Sequence, residues 1–369
     1  MSLPPDQPLP SHPRPLKGRG AVLNPANRFD PLRRQAEDDG WWREADPESV
    51  VTVLSPEQAR TIISRNNSPD IPFDRSINAY RGCEHGCVYC YARPTHAYID
   101  LSPGLDFETH ITYKPNAAEL LQKELGKAGY VVKPIAMGTN TDPYQPVERQ
   151  LGITRALLEV LLAHQHPVTI TTKGALLERD LDVLAQLAER NLVSVAISVT
   201  TLDNDLKRKL EPRATAAAKR LSLVRQLHRL NVPVGVMVAP VIPFINDDEI
   251  EAIVNAAAEA GACGARYILL RLPLEVKEMF REWLDVHFPD RARRVMSVIT
   301  DMRGGKDYDA RFGTRMRGEG VYAQLLQRRF ELALRRAGLA GVAFPELDCS
   351  RFHAPQGRTE RATAQLSLF

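Results

Sequence analysis

Three cysteines fall within eight residues, Cys83-Glu84-His85-Gly86-Cys87-Val88-Tyr89-Cys90, in a C-x3-C-x2-C spacing. Three thiolates on one short loop can face a common centre, and soft sulfur ligands select iron–sulfur clusters or zinc. A closed structural site takes four protein ligands. The remaining cysteines, Cys263 and Cys349, are far away in the chain. Three cysteines on a four-iron cluster leave one iron open to a ligand that is not protein. Gly86 lets the loop turn tightly, and Tyr89 can offer an aromatic face to a planar ligand. The alternative is a zinc loop with His85 as fourth ligand. His85 lies between two cysteines only four apart, an awkward start for a tetrahedron.

The pattern C-x3-C-x-(aromatic)-C resembles the signature of the radical S-adenosylmethionine (SAM) enzymes. The resemblance implies a [4Fe-4S] cluster on Cys83, Cys87 and Cys90, with SAM on the open iron through its methionine amine and carboxylate. It also implies reductive cleavage of the sulfonium to a 5′-deoxyadenosyl radical, and an electron donor such as a flavodoxin.

Such a loop needs a scaffold, and the chain from Ser76 onward alternates strand-like and helix-like segments. Strands are expected at 76–81, 131–138, 167–173, 193–201, 232–241 and 265–272, all rich in Val, Ile and Thr. Helices are expected at 148–164, 177–191, 215–230, 247–260, 274–287 and 321–337. Six βα units predict an α/β fold with a parallel sheet and right-handed crossovers. Periodicity does not separate an open doubly wound sheet from a barrel; the resemblance favours a partial (βα)6 barrel. In such a fold ligands sit at the C-terminal ends of the strands, where the cysteine loop follows the first strand. The organisation read from the sequence is an N-terminal arm and extension (1–75), the core (76–290), a basic C-terminal region (291–345) and a tail (346–369).

The other strand ends carry further polar residues. The second runs Gly138-Thr139-Asn140-Thr141-Asp142-Pro143-Tyr144-Gln145-Pro146, a polar end able to accept hydrogen bonds from an ammonium group. By resemblance it holds the SAM amine, although the family's usual Gly-Gly-Glu stretch is absent. It otherwise reads as a polar turn. Lys173 ends the third strand and suits a carboxylate or phosphate, or is merely solvated. Ser198 and Thr200 lie in the fourth, and Arg213 is read either as a carboxylate clamp or as the partner of Glu211. Met237–Pro243 packs on adenine or belongs to the core. Cys263 reads as a small core residue.

Tyr89, Tyr91, Thr141, Asp142, Lys173 and Ser198 together resemble the spore photoproduct lyase branch, which reverses a thymine lesion in DNA. That family uses a cysteine near the end of its second strand as hydrogen donor. Here the stretch contains no thiol, so Tyr89, Tyr91 and Tyr144 are the candidate catalytic relays. The implied activity is that of a lyase in DNA repair. Radical modification of a protein or small molecule, and a zinc-loop nucleic-acid adaptor, are the alternatives.

The whole chain fits this reading. With 44% hydrophobic and 25% charged residues among 369, it is an ordinary globular composition. Five cysteines, three of them clustered, do not make a disulfide framework. No apolar leader and no run of membrane-span length is present, so a cytoplasmic location is expected. Charge is uneven: residues 291–329 hold ten basic and four acidic residues, net +6. With Tyr308, Phe312 and Tyr322 interleaved, that region suits phosphates and stacked bases, or is a solvated basic loop. Lys17-Gly18-Arg19-Gly20 reads as a basic arm that is either an idle tail or a phosphate contact. The final Gln365-Leu366-Ser367-Leu368-Phe369 resembles the short peptide by which bacterial repair proteins dock on the replicative sliding clamp. That resemblance places the Gln365 amide, Leu366, Leu368 and Phe369 against the clamp; a last strand packing back on the core is the alternative.

Overall fold

A computed structural model describes residues 16–22, 24–29, 50–342 and 344–355. Among these residues ten strands form two sheets. The smaller orders β1 (Val53–Pro56), β5 (His110–Tyr113) and β4 (Tyr80–Arg81), with β1 parallel and β4 antiparallel to β5. The larger runs β10-β9-β8-β7-β6-β3-β2. Its members are β2 (Ile63–Arg65), β3 (Arg75–Ile77), β6 (Ile135–Met137), β7 (Val168–Thr172), β8 (Val193–Ser198), β9 (Val234–Val241) and β10 (Ala265–Leu269).

β3 and β6 to β10 are all parallel, and β2 is an antiparallel edge on β3. This is the six-stranded parallel sheet expected, open between β10 and β2. Parallel strands need crossovers. Helices Ala117–Leu125, Ile153–Ala163, Leu181–Ala188, Ala217–Arg229 and Ile250–Glu259 supply them. Each presents an apolar stripe to strands that are buried on both faces: Leu157, Leu158 and Leu161 from one helix, Leu223, Val224 and Leu227 from another. Among the described residues no helix is long and apolar enough to cross a membrane.

Several boundaries depart from the sequence reading. The segment 76–81 is not one strand. After Ile77 the chain leaves the main sheet, and Tyr80–Arg81 pairs with β5 instead. This hands the chain from the core sheet to the cysteine loop. The helix expected over 148–164 breaks at Gly152, whose φ of 66° places it in the left-handed region that glycine tolerates. Glu148, left on the short first piece, then caps the second by accepting from Thr154 N at 3.0 Å. The helix Ala117–Leu125, whose buried Ala117, Leu121 and Leu125 recur at helical spacing, and the short helix Asn204–Leu210 were not expected from the sequence. Residues 50–65 are not a separate packed extension: they supply β1 and β2, one to each sheet. Trp41 and Trp42 lie outside the described residues.

The C-terminal region shares a second, smaller core with the cysteine loop. Helices Val276–His287 and Pro289–Asp301 pack Phe280, Trp283, Val295 and Ile299 into an apolar cluster that also contains Val88 and Tyr89 of the cysteine loop. Leu269 N donates to Met316 O, so the 303–318 segment runs beside the end of β10. Because the six strands are parallel, all their C-terminal ends lie at one edge of the sheet, and the cysteine loop lies there with them.

Candidate metal and cofactor site

The loop winds on itself. Gly86 N donates to Cys83 O, Cys90 N to Cys87 O and Arg93 N to Cys90 O. Gly86 has φ 67°. A side chain there would meet the Glu108 carboxylate, its Cβ only 2.7 Å from Oε2. Val88 is fully buried in the apolar cluster below, which fixes the loop in depth.

Ionic and hydrogen-bonded ties hold the loop from several sides. Asp142, at the end of β6, is one hub. Its Oδ1 accepts from Thr172 Oγ1 at 2.6 Å and Tyr144 N at 2.8 Å; its Oδ2 accepts from Lys173 N at 2.8 Å and meets His85 Nδ1 at 3.2 Å. Burial pushes this carboxyl up, but His85 and the donors around it more than offset that and hold it at about 2. Glu211 is the other hub. It accepts from Tyr89 OH, Thr200 Oγ1 and an Arg220 NH2 group, with Lys173 Nζ 4.0 Å away. Burial opposes its ionisation too; the Arg220 and Lys173 charges prevail and hold it at about 2. A third tie is the wholly buried Arg93–Glu108 pair, with Arg93 also donating to Cys87 O at 2.9 Å.

The N-terminal arm joins this framework. Arg19 is buried and donates to Glu108 O at 2.9 Å and Val50 O at 2.6 Å. Gly20 N and Ala21 N donate to the two Glu108 oxygens at 2.9 and 2.8 Å. Gly20 lies so close that a Cβ there would be 1.8 Å from Gly86 O. Reading Arg19 as a phosphate contact is therefore corrected: its guanidinium is consumed inside the protein.

The arrangement fits a multi-iron cluster better than zinc. His85 turns to Asp142 rather than to the thiols, which removes the fourth zinc ligand. Among the described residues no three His, Cys, Asp or Glu side chains stand close enough to ligate one ion. Yet Cys83 lies within the fields of Cys87 and Cys90. Thiols spread in this way suit a centre in which each sulfur takes its own iron. Burial pushes all three thiols up, Cys87 to about 12 with Glu211 adding to the effect. Unligated, they stay protonated; only a bound cation would make thiolate the favoured form.

The remaining sequence-predicted residues fall into two groups. Tyr91, 45% exposed, stands at the mouth, its hydroxyl bonded to Thr139 O at the end of β6. Lys173 lies 5.9 Å from the Tyr89 ring centroid, and Ser198 ends β8 at the same edge. Others serve the scaffold. Thr141 donates to Gly82 O at 2.6 Å and accepts from Gln145 Nε2 at 2.9 Å. The acceptor capacity described for Asp142 goes to His85, to Tyr144 N and to the end of β7. Arg213 pairs with Glu84 at 3.0 Å, not with Glu211, which belongs to Arg220. Tyr144 is buried, its hydroxyl in the fields of Asp180 and Glu148 behind the site. Tyr89 is likewise buried, its hydroxyl spent on Glu211.

Sequence reading missed Glu108 and Arg220, buried residues that hold the loop, and Glu148, which accepts from Tyr80 OH and Thr154 N behind it. Only the oddity of charged residues inside otherwise apolar segments could have signalled them. Cys263 sits beside Val234 at the N-terminal end of the strands, away from the loop. The basic region is partly self-neutralised: Arg311 pairs with Asp309, Arg315 with Asp70 and Arg329 with Glu251. Even so, the Arg311 side chain stays 66% exposed beside Asp309. Gln365, Leu366, Leu368 and Phe369 lie outside the described residues.

Comparison with known proteins agrees with this geometry. A model of the radical SAM superfamily matches residues 77–257. An uncharacterised protein of Mycobacterium tuberculosis is 37% identical over 230 residues, 62% of this chain and 68% of its own. Another, from Methanocaldococcus jannaschii, is 24% identical over 58% of this chain and 76% of its own. Among solved structures, spore photoproduct lyase complexed with dinucleoside spore photoproduct superposes with a TM-score of 0.56 at 15% identity, over 77% of this chain and 79% of that one. A variant of the same lyase with bound AdoMet and the dinucleoside gives 0.55, also at 15% identity and over the same shares.

Proposed function

This chain belongs to the radical SAM superfamily, whose members use a [4Fe-4S] cluster and SAM, and from that premise we propose that it carries out radical chemistry on nucleic acid, of the lesion-reversing lyase kind. The observation that carries the reading is the buried three-cysteine loop at the C-terminal ends of six parallel strands, with an exposed tyrosine at its rim. Cys83, Cys87 and Cys90 hold the cluster. When bound, cluster and SAM together supply a 5′-deoxyadenosyl radical that abstracts hydrogen. Lys173, Ser198 and the backbone of 138–140 line the cofactor's place. Thr141 and Asp142 build its wall, and Arg213 braces Glu84 on the loop.

Of the three tyrosines, Tyr91 is the one whose ring reaches solvent. We assign it the return of a hydrogen atom. Its O–H bond breaks as a C–H bond forms on the substrate radical, and the tyrosyl left behind takes an electron from a flavodoxin-type donor and a proton from water. Tyr89 keeps the loop in register instead. The test is a lesion-bearing oligonucleotide incubated anaerobically with reconstituted protein, SAM and reductant, then analysed for 5′-deoxyadenosine and restored bases. SAM cleavage that never depends on any oligonucleotide would overturn the nucleic-acid reading.

A second reading, modification of a protein or small molecule, draws on the internal pairing of Arg311, Arg315 and Arg329, which shrinks the basic footprint. Recruitment to DNA is proposed through Gln365, Leu366, Leu368 and Phe369 on a sliding clamp, in the cytoplasm. Burying two or three such side chains gives roughly 5–8 kcal/mol gross, less about 2–5 for ordering the peptide. Weak, saturable binding of a labelled 361–369 peptide to the clamp, lost with Leu368→Ala and Phe369→Ala, is expected; no binding at high micromolar clamp removes the proposal.

A further inference from the structure

Arginines around the mouth of the sheet mostly have a carboxylate: Arg93 has Glu108, Arg213 Glu84, Arg220 Glu211 and Arg315 Asp70. Arg271, just beyond the end of β10, has no ion-paired carboxylate among the described residues; Asp70, which lies within its field, is paired with Arg315. The two terminal nitrogens of Arg271 meet Met316 sulfur at 3.7 Å and Tyr308 OH at 3.3 Å. Its Nε is buried and has no partner among the described residues. A thioether is a weak acceptor, and an unsatisfied buried donor is a standing cost to the free protein. The guanidinium also lies 4.9 Å from the ring centroid of Tyr91, the residue directly after Cys90.

A second cation adds to the same corner. Arg303 is buried, and its guanidinium donates to Leu270 O at 2.7 Å and Thr314 O at 3.1 Å, both neutral carbonyls. Nearby Phe312 is 55% exposed beneath the Arg315 guanidinium. The corner therefore combines an excess of positive charge, only partly balanced by Asp70 and Asp309, with solvent-facing aromatic rings.

We propose that Arg271, braced by Tyr308 and stacked on Tyr91, is the subsite for a backbone phosphate of an oligonucleotide substrate. The guanidinium fork matches two phosphate oxygens, and the exposed Tyr91 and Phe312 rings offer faces to unstacked bases. Such an anchor beside the third cysteine brings the neighbouring nucleotide to the cofactor. The proposal rests on the nucleic-acid reading above and adds the residue that fixes the strand.

The test uses reconstituted holoprotein and a fluorescein-labelled single-stranded oligonucleotide, with anisotropy read across a series of salt concentrations. Arg271→Ala should weaken binding ten-fold or more and lower the salt slope by about one. Arg271→Lys keeps the charge without the fork and should lie between. Arg351→Ala, at the opposite edge of the sheet and paired with Asp348, should bind as the unaltered protein does. Excess inorganic phosphate that competes only at far higher concentration supports an oligonucleotide rather than a free anion as the ligand. Iron content verifies folding; if the alanine variant loses iron, the lysine variant decides. An iron-replete Arg271 variant with undiminished affinity overturns this subsite and leaves the nucleic-acid reading standing. Unaltered protein that cleaves SAM yet binds no oligonucleotide overturns both.

Discussion

At the scale of single residues, ligands and braces can be told apart by what replacing each would do. Cys87→Ala removes one of three thiolates, and two cannot hold the cluster. Reconstituted iron should fall to background, whereas Cys263→Ala, at the far end of the strands, should keep its iron. Asp142 meets the Cys83 thiol through its backbone, and its carboxylate gathers four groups from three segments. Asp142→Asn would replace an acceptor oxygen with a donor that faces donors. The expected loss is roughly 2–4 kcal/mol, read as a fall in Tm together with faster loss of iron to a chelator. Unchanged chelation kinetics would mean that His85 and β7 hold the loop without it.

At the scale of elements, the strand ends are held by buried groups whose protonation state is part of the fold. His166, just before β7, accepts from Tyr130 OH at Nε2 (2.8 Å) and has Nδ1 2.9 Å from Pro167 O. The carbonyl requires the proton on Nδ1, so Nε2 must stay bare. Burial lowers this histidine to about 4. The unfolded chain takes up the proton near pH 6.5 and the folded one does not. The contribution is therefore complete above pH 6.5 and disappears as pH falls toward 4, up to roughly 3 kcal/mol. Tm should drop on acidification from about pH 7 to pH 5, and His166→Gln should lessen that drop. The Asp142 and Glu211 carboxyls, both near 2, act only in more acid solution.

At the scale of the molecule, the cysteine loop is closed by chain from well before the sheet begins. Arg19, Gly20 and Ala21 all converge on Glu108, which Arg93 also binds. The Gly20 backbone covers Gly86 so closely that Gly20→Val cannot be accommodated without displacing the strap. That variant should still fold its helices by circular dichroism, since the sheet core is elsewhere. Its cluster should bleach several-fold faster in air, because the loop would lose its cover. Equal bleaching rates would show that the strap is not what shields the loop.

The amino-acid sequence by itself picked out the cysteine loop, the alternation of strand and helix and, through these, the parallel sheet with that loop at one edge. These features are local: a C-x3-C-x2-C spacing, runs of Val and Ile, and apolar stripes at helical period can be read within a few residues. The partners of buried charges were decided only by tertiary structure. Arg213 going to Glu84, Arg19 leaving a basic arm to bind Glu108, and Arg315 spent on Asp70 are contacts between segments far apart in sequence, and even Glu211 reaches Arg220 only across a turn and into a helix. Composition counts a charge without knowing its neighbour. Whether an arginine is a ligand site or an internal brace depends on the carboxylate that folding brings beside it; the one whose charge reaches Arg271, Asp70, is already paired with Arg315.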